Sequence, residues 1–136
     1  MKVVLIHGIH EREGASNMSV LWPYLQRGLR GIAEVELHSY GFMGFWAARR
    51  DNHRQAMRLA DRLERGDIVV THSNGAAITY LACRDYGACP SGVIHINPAL
   101  DRWRTCDSAE WVETIHSDGD RAVWLSQWLP FHVWGD

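Results

Sequence analysis

Five short apolar runs recur along the chain with helix-length segments between them: Val3 to His7, Ala33 to His38, Asp67 to Thr71, Gly92 to Ile96 and Trp111 to Ile115. Four of them are nearly continuous in apolar residues rather than alternating, the pattern of strands buried on both faces beneath crossover helices. The intervening segments carry matching helical signals. Ser16, Asn17 and Ser19 offer caps ahead of a helix over Val20 to Leu29, with Gly28 and Gly31 punctuating its end. Between Arg49 and Arg65, residues Ala56, Met57, Ala60 and Leu63 fall at helical spacing, and Gly66 closes the segment. Ala76 to Tyr86 reads as a third helix stopped by Gly87 and Pro90, and Arg121 to Leu129 as a shorter fourth that ends at Pro130. The pattern predicts an α/β fold, a three-layer sandwich around a mostly parallel sheet of about five strands.

Length and composition narrow that picture. A chain of 136 residues holds one core, so a single domain over residues 1–136 is expected, without room for a large cap. Apolar residues at 46% and charged residues at 22% are globular values and argue against disorder. The formal charge of -2, with Arg49, Arg50, Arg54, Arg58, Arg62 and Arg65 spread along a solvated helix face, supplies no basic footprint for nucleic acid. The apolar run at the amino terminus is too short for a signal peptide, and no stretch is long enough to span a bilayer, so a cytoplasmic protein is expected. Cys83, Cys89 and Cys106 form no Cys-x-x-Cys pair and fit free thiols in a reducing compartment. His7 and His10 with Glu11 and Glu13 sit on a strand end and loop rather than on a helix, so neither a metal nor another cofactor is expected.

The third run leads directly into His72-Ser73-Asn74-Gly75 and then into the small, apolar start of a helix, Ala76-Ala77-Ile78. A serine on a tight turn between strand and helix projects its hydroxyl beyond the carboxyl ends of the strands, and the next amide lies at a helix N-terminus that favours negative charge. Ser-Asn-Gly is also a good turn sequence in its own right. The first run ends in His7-Gly8 and continues through Ile9, whose backbone amide, together with that of Asn74, is a candidate oxyanion-hole pair.

Four landmarks then occur in one order: Val3-Val4-Leu5-Ile6-His7-Gly8, Val69-Val70-Thr71-His72-Ser73-Asn74-Gly75, Ile94-His95-Ile96-Asn97-Pro98-Ala99, and Ile115-His116-Ser117-Asp118-Gly119-Asp120-Arg121-Ala122-Val123. Over nearly the whole chain this resembles the α/β-hydrolase superfamily, as a small, capless serine esterase or lipase. The resemblance implies a minimal version of that fold, lacking its last strand, with Ser73 as nucleophile and Asp120 as triad acid. Asp118 is the competing acid. Ser117 and Thr71 stand where the family usually carries glycine, and Thr71 should crowd the turn before the serine. His72, beside the nucleophile, is a frequent scaffold position in the family rather than the base. His7 and His95 read as strand-end residues, His38 as the start of a loop and His53 as part of a charged helix.

The family's base follows its acid, in the order Ser, Asp, His. Only sixteen residues follow Asp120, too few for a helix, a strand and a histidine loop. Two readings stay open. His132 takes the role in an abbreviated ending, or the histidine lies beyond Asp136 in a longer natural chain, which the ending Trp134-Gly135-Asp136 favours. The short interval from Pro98 to Trp111 implies an open site, with Trp103, Tyr40, Phe42, Met43, Phe45 and Trp46 either lining an apolar groove or closing the core. The expected partner is a small-molecule ester. The alternative is a degenerate binding domain that uses its tryptophan-rich surface.

Overall fold

The computed structural model describes residues 1–8, 16–41, 43, 48–100 and 104–117. Five strands, β1 (Lys2–Ile6), β2 (Glu34–His38), β3 (Ile68–Ser73), β4 (Gly92–Pro98) and β5 (Trp111–Ile115), alternate with helices α1 (Asn17–Gly28), α2 (Ala48–Ala60) and α3 (Asn74–Tyr86). All four strand pairings are parallel and the order is β2-β1-β3-β4-β5. The expected α/β class and strand count are therefore observed, with all five strands parallel.

Alternation along β1 explains the layers. Val3 and Leu5 pack with Met18 of α1, Val35 and Val70 on one face. Val4 and Ile6 pack with Ala56 and Leu59 of α2, Val69, and Ile78 and Leu81 of α3 on the other. Burying each such side chain is worth about 1.5–3 kcal/mol, so a strand covered on both faces is anchored twice.

Element ends differ from expectation for local reasons. Helix α1 starts three residues early because Ser16, rather than a later residue, caps it: the Ser16 hydroxyl accepts the Ser19 amide at 2.9 Å. Helix α2 ends at Ala60, so Leu63 lies beyond it, and Met57 is 47% exposed instead of facing inward. Its buried stripe runs through Asn52, Ala56 and Leu59, spaced i, i+4, i+7. Every residue of β5 is exposed. It is an edge strand, and α3, the last described helix, packs on β3 and β4. The three cysteines are free thiols. Among the described residues no helix is long and apolar enough to cross a membrane. The predicted fourth helix lies outside the described residues.

The topology marks one place for a ligand. From β1 the chain moves to one neighbour, β2, by way of α1, and later returns to the other neighbour, β3, by way of α2 on the opposite face. A crevice opens where such connections diverge, at the carboxyl ends of the strands. Here that end carries His7-Gly8 after β1 and Ser73 at the close of β3.

Candidate active site

Ser73 is the last residue of β3 and caps α3 with φ 51° and ψ -118°. Non-glycine residues rarely adopt a positive φ, and holding one there costs of order 1–3 kcal/mol. The turn is tight because three neighbours close on it. A Cβ on Gly75 would lie 2.7 Å from the Ile6 carbonyl oxygen, so only glycine lets α3 come this close to β1. The Ser73 carbonyl accepts the Ala99 amide at 3.0 Å. Between His72 and Ser73 the register with β4 shifts, and Asn97, which has φ 43°, is the residue skipped.

Bent this way, the Ser73 side chain makes no capping hydrogen bond to α3. It faces Gly8 instead: a Cβ added at Gly8 would sit 3.2 Å from Ser73 Cβ, 3.6 Å from its Oγ and 3.5 Å from His72 Nδ1. Gly8 thus keeps the approach to the hydroxyl clear. The backbone amide of Asn74 belongs to the first residue of α3, where the first N–H groups have no partner within the helix and point toward incoming negative charge.

The Asn74 side chain is fully buried and spoken for. Its Nδ2 donates to Asn52 Oδ1 at 2.8 Å, and Asn52 Nδ2 donates back to Asn74 Oδ1 at 2.9 Å. Asn74 Nδ2 also lies 3.4 Å from the Tyr40 hydroxyl and 3.7 Å from Met43 Sδ. Tyr40 in turn stacks on the His7 ring, with centroids 4.1 Å apart, and its hydroxyl donates to the His7 carbonyl at 2.6 Å. The sequence put Tyr40 and Met43 forward as groove or core residues. They pack beneath the turn, so the core alternative holds for this pair.

The histidines separate into roles. His7 Nδ1 donates to the Gly8 carbonyl at 2.7 Å, and its Nε2 accepts the Tyr40 amide at 3.3 Å, so both ring nitrogens serve the scaffold. His95 lies within β4 rather than at its end, buried, with Nδ1 2.7 Å from Thr71 Oγ1. Burial pushes its pKa down to about 4. Thr71, predicted to crowd the turn, is accommodated by this pairing across neighbouring strands. His38 closes β2 rather than beginning a loop, and burial, with the Arg62 guanidinium adding to it, lowers it to about 4.

At the far side of the same end, the Ser117 amide donates to Asn97 Oδ1 at 2.6 Å, tying the exit of β5 to the exit of β4. The chain therefore leaves β5 at the same, carboxyl end of the sheet that carries Ser73. Ser73, Asn74 and Gly8 lie together at this end of the sheet. Ile9, Asp118, Asp120 and His132 lie outside the described residues, as do Phe42, Phe45, Trp46 and Trp103. Asn52 was missed, although a polar residue in register with Ala56 and Leu59 on an otherwise charged helix is a readable sign of a buried polar contact. Among the described residues no group of three or more His, Cys, Asp or Glu could hold a metal ion.

No protein-family model matches the chain, and no curated protein matches it. Among solved structures it is similar to a pyrethroid hydrolase from Sphingobium faniae JZ-2, with 19% identity and a TM-score of 0.49 over 74% of this chain and 40% of that one. It is also similar to a pyrethroid hydrolase PytH with BIF, with 20% identity and a TM-score of 0.48 over 74% of this chain and 41% of that one. The chain spans about two fifths of the length of these proteins, and a likeness of this extent adds no argument about chemistry or substrate.

Proposed function

We propose that the protein is a serine hydrolase that cleaves carboxylic esters through an acyl-enzyme on Ser73. The observation that carries this reading is the strained Ser73 backbone, φ 51° and ψ -118°, at the crevice between β1 and β3. Serine rarely adopts such a backbone, and strain of this kind clusters at functional sites. A nucleophile gains from the strain, because the hydroxyl is thrust forward while the next amide stays behind it.

In the proposed reaction Ser73 Oγ attacks the ester carbonyl and passes its proton to a histidine. The base is His132 or a histidine beyond Asp136, oriented by Asp120. The carbonyl oxygen becomes an oxyanion and takes hydrogen bonds from the amides of Asn74 and Ile9, donors of a kind whose individual loss costs roughly 100- to 1000-fold in rate. The histidine returns its proton to the leaving alkoxide, and water then releases the acid from the acyl-enzyme. Turnover of p-nitrophenyl acetate and butyrate by the full natural chain tests the proposal. Turnover that falls by about 1000-fold or more in Ser73→Ala is expected. Equal turnover by a folded Ser73→Ala variant would remove Ser73 from the chemistry.

A further inference from the structure

The proposed oxyanion hole draws its two amides from separate pieces of chain, the exit of β1 and the first residue of α3, and the ladder between β1 and β3 ends at Ile6 and Thr71, short of both. Donors must lie within about 2.7–3.1 Å of the developing oxyanion, so a small relative drift is expensive. A hydrogen-bonded chain links these pieces beneath the site. Asn52 of α2 and Asn74 of α3 form a reciprocal side-chain amide pair at 2.8 and 2.9 Å, and both residues are 0% exposed. Asn74 Nδ2 reaches the Tyr40 hydroxyl at 3.4 Å, and that hydroxyl donates to the His7 carbonyl at 2.6 Å. The next carbonyl is held as well, since His7 Nδ1 donates to the Gly8 carbonyl at 2.7 Å while Tyr40 stacks on the ring.

We infer that Asn52 and Tyr40 are positioning residues for the oxyanion hole, holding the Asn74 residue and the His7–Gly8 exit of β1 at a fixed spacing. The inference rests on the ester-hydrolase reading. Two features favour it over simple core filling. An apolar pair of similar shape would hold α2 against α3 without the cost of desolvating two amides, whereas a satisfied polar pair admits one geometry only. The contacts also converge on the exits of β1 and β3, since the single Tyr40 oxygen donates to the His7 carbonyl and accepts from the Asn74 side chain.

The experiment compares an ester with the matching thionoester in the full natural chain and in Asn52→Ala and Tyr40→Phe. Backbone amides grip an oxyanion much better than a thiocarbonyl sulfur, so the ester-to-thionoester rate ratio reads the quality of the hole. In Asn52→Ala we expect kcat on the ester to fall about 10- to 100-fold with KM within about threefold, below the loss for deleting a donor outright. The ester-to-thionoester ratio should fall by a similar factor. Tyr40→Phe should give a smaller loss of the same kind, and the double variant less than the product of the two, as members of one network do. A folded Asn52→Ala variant with an unchanged ratio overturns the inference and leaves the hydrolase reading standing. Should Asn52→Ala fail to fold, Tyr40→Phe decides alone: an unchanged ratio there overturns the inference. A wild-type chain that turns over neither substrate overturns the hydrolase reading, and the inference falls with it.

Discussion

The two ends of β3 use polar groups in opposite ways. At the amino end, just before the strand, the buried Asp67 is wholly consumed by structure: Oδ1 accepts the Lys2 amide at 2.7 Å, Oδ2 accepts the Glu64 amide at 2.9 Å, and its carbonyl accepts the Ser91 amide at 2.8 Å. Lys2 Nζ adds a charge at 3.8 Å. At the carboxyl end the backbone is strained at Ser73 and the hydroxyl makes no cap to α3. One end stabilises and the other is held away from its most stable arrangement, which is where function is expected.

That contrast can be broken or sharpened by perturbing each end. The largest effect is expected from acid. His38, at the end of β2, and His95, in the middle of β4, are buried, with pKa values lowered from 6.5 to about 4. The unfolded chain therefore binds more protons between pH 6.5 and 4, so stability is full above that window and falls as pH drops through it. Denaturant titrations at pH 7 and pH 5 should differ by on the order of 4 kcal/mol, and replacing His95 by Gln should shrink the difference. A flat profile would mean that these rings are not held neutral.

Next comes Asp67→Ala, which strands two amides and should cost about 3 kcal/mol while leaving the fraction of folded protein fully active. Loss of activity beyond the unfolded fraction would erase the distinction between the ends. Gly75→Ala forces a Cβ against the Ile6 carbonyl and should cost about 2 kcal/mol, with activity lost in the folded molecules as well, because α3 and its first amide must move. The smallest effect has the opposite sign. Ser73→Gly relieves the positive φ and should raise stability by about 1 kcal/mol in thermal unfolding, while abolishing turnover. Destabilisation instead would show that the backbone there is not strained.

The contrast was partly legible in the sequence. The five strands could be read because parallel strands covered on both faces leave long apolar runs, and Val69-Val70 flanked by Val3 to Ile6 and Val93 is the clearest case. Ser73 and Asn74 could be read because strand, turn and small-residue helix follow one another without a gap. Asn52 is legible only through its register with Ala56 and Leu59, because a polar residue on an arginine-rich helix otherwise reads as solvated, whereas Met57, apolar but off that register, faces solvent. The burial of His38 and His95 also escaped the pattern, because a histidine in an apolar run carries no sign of whether its ring is covered. The exposure of β5 follows from its place at the sheet edge, which only the strand order reveals.

Labelling with a fluorophosphonate tests the central claim most directly. In the full natural chain the account predicts one covalent adduct, located on Ser73 by peptide mass spectrometry, formed faster than on free serine and absent from Ser73→Ala. A folded chain that takes up no label, or one labelled equally in Ser73→Ala, would contradict it.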